Sequence, residues 1–224
     1  MSDMLMKLWT EGELVLGIWE TIYMVLLSTV IAYLLGLPIG IILNVTSEDG
    51  ICPMKTLNKV LGFAVNVLRS IPFVILMVAL LPAAKLVVGT SMGNRAMIFT
   101  LVVAAAPYVA RMVESSLKEV DKGVIEAAQA MGTSSFGIIR KVLIPEAGPS
   151  LTVGAVISTV TILGYSAMAG TIAGGGLGKI AIIYGYQRSE YDIIWVCMLL
   201  TIIIVEIIQE VGMRIALKSD KRIK

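Results

Sequence analysis

A chain of 224 residues that is 57% hydrophobic and only 15% charged, with a mean hydropathy of +0.89, departs from soluble domains, which run at about 45–50% apolar and about 25% charged. Its net charge of +2 conceals an uneven spread of lysine and arginine, and it contains no histidine, which removes the commonest metal ligand and the commonest general base near neutral pH. Cys52 and Cys197 are isolated, without the C-x-x-C spacing of a redox pair or zinc site, so no catalytic residue and no metal ligand is assigned.

The first twenty residues scatter Asp3, Glu11, Glu13 and Glu20 and have no basic start followed by an apolar core, so they are not read as a cleavable signal. A short surface helix ahead of the membrane is expected there. The first span, Thr21 to Ser47, is free of charge. Pro38 lies within it and is expected to kink it. Gly36 and Gly40, four apart, share a face. Close contact with another helix and relief around the kink are both open readings. A polar loop from Glu48 to Lys59 leads to a second span, about Val60 to Ala84, interrupted by Arg69 and by Ile71-Pro72. An arginine at that depth is costly and turns toward protein or water, so Arg69 is either a structural partner of a carboxylate or carbonyls, or a pathway residue. A short third span, Ala96 to about Met112, contains Pro107. Arg95 and Arg111 bracket it, placed to snorkel to the two interfaces.

Residues 111 to 146 form the one long polar stretch. A fourth span starts after Pro149 and ends near Ile172, where Gly174, Gly175, Gly176 and Gly178 are expected to stop the helix. A fifth covers about Tyr191 to Ile208, with Glu206 near one end and Glu210 beyond it, both expected at the inner interface. About 20 apolar helical residues cross the ~30 Å hydrocarbon layer, so the fold class is all-α, a polytopic membrane protein with about five transmembrane helices in a single domain over 1–224. Five spans leave no room for a soluble catalytic domain of about 100 residues.

Lysine and arginine set orientation. With the amino terminus outside, the inner side holds Lys55, Lys59, Arg111, Lys118, Lys122, Arg140, Lys141, Arg214, Lys218, Lys221, Arg222 and Lys224. The outer side holds Lys7, Lys85, Arg95, Lys179 and Arg188. That majority places the amino terminus outside, the carboxyl terminus inside and the 111–146 loop in the cytoplasm. Within the loop, Val124 to Met131 is rich in helix formers. Gly132 suits the left-handed residue that ends a helix, and Thr133 and Ser134 can cap another carrying Phe136, Ile138, Ile139, Val142 and Leu143 before Pro145. The expectation is helix, tight turn, helix, with small alanines that let another protein approach.

Glu126-Ala127-Ala128, three residues, Gly132, nine residues, then Val142-Leu143-Ile144-Pro145 resembles the EAA motif of ABC importer permeases. The pattern has Ile and Leu where this chain has Val142 and Ile144, changes that keep apolar volume. The resemblance implies the type I importer permease fold, with a coupling loop over 115–146 in which Glu126, Ala127, Ala128, Gln129, Ala130, Met131 and Gly132 dock on a cytoplasmic ATPase. Arg69-Ser70-Ile71-Pro72-Phe73, Ala105-Ala106-Pro107-Tyr108, Arg111-Met112-Val113-Glu114, Gly164-Tyr165-Ser166-Ala167-Met168, Gly175-Gly176-Leu177-Gly178 and Tyr184-Gly185-Tyr186 look like the methionine-uptake subgroup. That implies import of methionine, L and D, across a bacterial inner membrane by alternating access.

The implied assembly is a homodimer with two ATPase subunits and an extracytoplasmic substrate-binding lipoprotein, surrounded by lipid and without nucleic acid. The chain itself would bind no cofactor, ATP and Mg being used by the ATPase. Another amino acid or a quaternary amine such as glycine betaine is the alternative substrate. The fourth span offers Ser158, Thr159, Thr161, Tyr165, Ser166 and Met168 as neutral lining; Tyr165, Ser166 and Met168, with Arg69, are the pathway and gate candidates, against a reading as ordinary packing. The segment from Ala173 to Ile180 fails the phosphate-loop pattern, with Ala173 and Ile180 at two required positions; it is read as a flexible outer loop, with a role in meeting the binding protein left open. An intramembrane enzyme is disfavoured by the absence of His and hence of His-Glu-x-x-His, and a passive channel would conduct without ATP.

Overall fold

The computed structural model describes residues 3–170, 172 and 174–219. Ala173 of the glycine segment and Lys221, Arg222 and Lys224 of the charge pattern lie outside the described residues. Every regular element among those described is helical. In chain order these are α1 (Asp3–Thr10), α2 (Glu13–Val45), α3 (Lys55–Ser70), α4 (Phe73–Val88), α5 (Gly93–Lys118), α6 (Lys122–Ala130) and α7 (Ser135–Ile138). A π-helical turn (Ile139–Leu143), α8 (Ile144–Glu146) and α9 (Gly148–Ala169) follow. The chain then continues through α10 (Gly176–Ile180), a second π-helical turn (Ala181–Tyr186) and α11 (Tyr191–Ser219).

Four helices, α2, α5, α9 and α11, are long and apolar enough to cross a membrane. The pair α3 and α4 has the length and composition of one more span but is bent by 106° at its break. Pro72 stands at the start of α4 with φ −56° and ψ 132°, where its missing N–H costs nothing and its ring stops α3 from continuing. Pro38, Pro82 and Pro107 lie inside helices; the span around Pro107 is a helix of 26 residues rather than a short one.

The chain divides into two compact units. One comprises 1–31, 71–105 and 159–209; the other 32–70, 106–158 and 210–224. In the first, Leu8, Leu14, Met24, Met77, Met97, Leu101, Ile162 and Leu177 are fully buried. Here α2 begins at Glu13, two turns ahead of the charge-free run. Glu13 and Glu20 therefore lie within it, and only Asp3–Thr10 forms a separate short helix. Glu20 is tolerated because its carboxylate accepts hydrogen bonds from protein donors. The glycine segment is not a loose loop: Gly174, Gly175 and Gly176 are buried, and α10 starts at Gly176.

In the second unit, Leu43, Leu117, Ile138 and Leu143 are fully buried. Gly36 and Gly40 face α5. A Cβ on Gly36 would lie 2.7 Å from Val109 Cγ1, and one on Gly40 would lie 2.5 Å from the carbonyl oxygen of Ala110. Close helix contact, rather than relief around Pro38, is the reading the structure supports.

Candidate functional site: the helix pair at 122–146

Asp121 caps α6, its carboxylate accepting from the Gly123 N–H at 2.7 Å. Such a cap is worth about 1 kcal/mol. At the other end the Gly132 N–H donates to Gln129 O at 2.9 Å and the Thr133 N–H to Ala128 O at 3.1 Å. That is the Schellman pairing, and it needs Gly132 at φ 73°. Ser134 then caps α7, accepting from the Gly137 N–H at 3.3 Å. The sequence expectation of helix, tight turn, helix holds, with both caps on the residues named for them; the second helix passes through a π-helical turn at Ile139–Leu143 before Pro145.

Ala128 is buried, while Glu126, Ala127, Gln129, Ala130, Met131 and Gly132 are exposed. Met131 and Phe136, 78% and 71% exposed, give this face two large apolar side chains around short alanines. Five of the six exposed residues between 126 and 132 carry no charge. A cavity of about 410 Å³ lies behind the pair, with Asn44, Asp49, Lys118, Lys122, Glu126 and Gln129 in its wall. Lys122 and Asp49 approach to 3.5 Å, both exposed, a pair worth at most about 1 kcal/mol.

Glu114 is buried and receives Arg111 from one turn before it and Lys118, at 2.7 Å, from one turn after. The Arg111 guanidinium also donates to Gly62 O at 3.0 Å and Asn66 Oδ1 at 2.9 Å on α3. Arg111 does not snorkel to an interface; it ties α5 to α3 three residues ahead of the buried acid. The Arg-x-x-Glu-x-x-x-Lys spacing puts all three side chains on one helical face.

Of the four pathway candidates, three lie on α9 in the first unit and Arg69 lies on α3 in the second. Tyr165 stacks on Phe73 with ring centroids 4.6 Å apart and planes 7° from parallel. Ser166 is buried and its hydroxyl donates to Leu163 O at 2.8 Å, on its own helix. Met168 is exposed and shares a face with Tyr165. Arg69 is exposed in the last turn of α3, beside the break. Ser158 is fully buried with its hydroxyl on Gly154 O at 2.7 Å.

Apolar spans, a bent helix pair and a short capped helix pair are the architecture of a type I ABC importer permease. The chain belongs to the family of binding-protein-dependent transport system inner membrane components, which matches residues 36–224, and is a multi-pass membrane protein. It is 46% identical over 204 residues to the probable D-methionine transport system permease protein of Vibrio cholerae, covering 91% of each chain. It is 44% identical over 204 residues to the methionine import system permease protein of Bacillus subtilis, covering 91% of this chain and 92% of that one. A solved structure of inward-facing conformations of a methionine ABC transporter superposes with a TM-score of 0.93 at 42% identity, covering 99% of this chain and 100% of that one. The family read from the EAA pattern is therefore confirmed.

Proposed function

We propose that this chain is the membrane-spanning subunit of an ATP-driven methionine importer, and that the helix pair at 122–146 is its coupling element. The observation that carries the reading is the closed, capped α6 with Glu126 to Gly132 exposed except at Ala128. A rigid helix end with short side chains lets a partner backbone approach closely, and Met131 and Phe136 supply apolar area. The names of the relatives support methionine, in both enantiomers, as the substrate.

The active form is a homodimer, because each chain offers one coupling pair and the ATPases work as two. Each ATPase binds ATP and Mg and seats one α6, and closure of the ATPase pair draws the two coupling pairs together and opens the pathway outward. Substrate arrives from an extracytoplasmic binding lipoprotein. Tyr165, Ser166 and Met168, on α9, are the residues nearest the gate, and Arg69 is a pathway residue. The distribution of lysine and arginine supports an outside amino terminus and a coupling pair in the cytoplasm.

The test is uptake of labelled L-methionine by cells whose sole copy of the system carries this chain, with and without an intact 126–132 segment. Uptake that needs the segment and is competed by unlabelled methionine is the expected result. Normal expression with no segment-dependent methionine uptake would overturn the substrate assignment and turn attention to other amino acids and to glycine betaine.

A further inference from the structure

The glycine segment before α10 is held by side chains from far away in sequence. Three successive backbone N–H groups each find an acceptor. Gly175 donates to Asn94 Oδ1 at 3.0 Å, Gly176 to Glu20 Oε2 at 2.8 Å and Leu177 to Thr21 Oγ1 at 2.9 Å. These are the donors that a helix start leaves without partners. Asn94 Nδ2 then donates to Glu20 Oε1 at 2.9 Å, which closes the array between α2, the first turn of α5 and the segment. Thr21 in turn donates to Gly17 O at 2.8 Å. The contacts require bare backbone. A Cβ on Gly176, where φ is +85°, would lie 2.6 Å from Thr21 Oγ1, and one on Gly175 would overlap the Glu20 carboxylate.

The same segment is the seat for the end of α9. The Gly174 N–H donates to Ala169 O at 3.1 Å. A Cβ on Gly170 would lie 2.5 Å from the Lys179 nitrogen and 3.0 Å from the Gly178 carbonyl carbon. Gly178 presses against the backbone of Ala167, the residue between Ser166 and Met168. Backbone packed on backbone leaves no soft side chain to absorb a shift, so the position of the segment fixes the position of the last turn of α9.

We propose that Glu20 and Asn94 form a latch that positions the gate-bearing end of α9, and that they are positioning residues for import. The proposal rests on the transport reading above. The latch has a defined polarity. Glu20 is acceptor-only, Asn94 supplies one donor and one acceptor, and the segment supplies donors. Glu20→Gln alone sets an amide donor against the Asn94 amide donor. Asn94→Asp alone sets two carboxylates against each other. Glu20→Gln with Asn94→Asp restores every bond with the direction of one reversed: Gln Nε2 donates to the new carboxylate, Gln Oε1 accepts from Gly176, and the carboxylate accepts from Gly175. The pair exchange also leaves the net charge unchanged.

The experiment measures labelled methionine uptake by the assembled transporter at matched membrane levels, together with amide exchange of the 174–178 segment in the purified complex. Each single variant is expected to import at least tenfold more slowly and to exchange faster at Gly175 and Gly176. The double variant is expected within threefold of wild type in both. Thr21→Val removes the Leu177 acceptor, together with the hydroxyl's bond to Gly17 O on its own helix, at nearly constant volume, and is expected to fall between. Single variants that import at the wild-type rate overturn the positioning role, as does a double variant no better than the singles. If wild type itself imports no methionine, the substrate reading fails separately. Exchange then decides the latch: protection lost in the singles and regained in the double supports it, and unchanged protection in the singles overturns it.

Discussion

Gly132 has open space around it: a Cβ there would meet nothing within 4 Å. Substitution is therefore opposed by its φ of 73° alone, and the left-handed conformation costs a side-chain-bearing residue about 1–2 kcal/mol. Gly132→Val is expected to lose most uptake while ATP hydrolysis by the assembled complex continues. Gly132→Asn is expected to keep most of it, because Asn tolerates this conformation. The readout is the ratio of methionine imported to ATP hydrolysed; equal ratios in the two variants would show that the left-handed cap is not what couples. Glu114 carries a second prediction. Its side chain is 8% exposed between Arg111 and Lys118, and breaking a buried pair from one side costs about 3–5 kcal/mol. Glu114→Ala is expected to lower the thermal unfolding midpoint in detergent sharply, and Lys118→Ala, at the more exposed end, to lower it less.

Among the elements, Gly40 on α2 and Ala110 on α5 make the close approach most open to test. Gly40→Leu is expected to destabilise the chain by about 1–3 kcal/mol through overpacking, seen as a lower unfolding midpoint. Gly164→Ala, whose Cβ would meet nothing within 4 Å, is expected to leave the midpoint unchanged or raise it. Sequence reading located the elements well and their ends poorly, and charge is the reason. The third span is expected to end at about Met112, yet α5 runs on to Lys118 because Glu114 is neutralised from both sides. The fifth is expected to end at about Ile208, yet α11 runs to Ser219, with Glu210 and Arg214 paired at 2.6 Å one turn apart. Glu20 marked a boundary that does not exist, since its partners Asn94 and Gly176 lie 74 and 156 residues away. The helix pair at 122–146 was legible because caps and left-handed glycines are local; the proposed latch and the α3–α5 tie were not, because they are made by residues distant in sequence. Pro72, at a helix start, breaks the second span, while Pro38, Pro82 and Pro107 do not break theirs. That distinction depends on position within the turn and is invisible in a run of apolar residues.

At the scale of the whole molecule, the two units differ in chemical character. All three tryptophans, Trp9, Trp19 and Trp195, belong to the first and are 61–65% exposed, as are Tyr186 and Tyr191 at 65% and 59%. Exposed aromatics of this kind sit at the level of lipid headgroups. The second unit holds most of the lysine and arginine in Lys55 to Lys59, Arg111 to Lys141 and Arg214 to Lys218. With Cys52→Ser and Cys197→Ala as background, Met92→Cys is expected to react with an impermeant maleimide in intact cells. Phe136→Cys is expected to react only after permeabilisation. The opposite pattern would invert the proposed topology. Burial adds a further distinction: 67% of the apolar window of α5 is enclosed by protein, against 17% for α11. Polar substitutions along α5 are thus expected to reduce the amount of folded chain, whereas α11 has surface to offer to lipid or to a second copy.

The Glu20 carboxylate also imposes an order on biogenesis. It leaves the ribosome 156 residues ahead of Gly176, whose N–H it accepts. At roughly 5–20 residues per second the wait is roughly eight to thirty seconds. Until then α2 holds an acid without its full set of partners, Asn94 following after 74 residues and Gly176 last, and an acidic side chain carried into hydrocarbon would cost at least about 2.5 kcal/mol. The nascent chain has to keep its first span close to water, or inside the insertion machinery, until α10 arrives. A chain arrested after α9 would then be cleared by quality-control proteases faster than one arrested after α10, although the two differ by fewer than twenty residues.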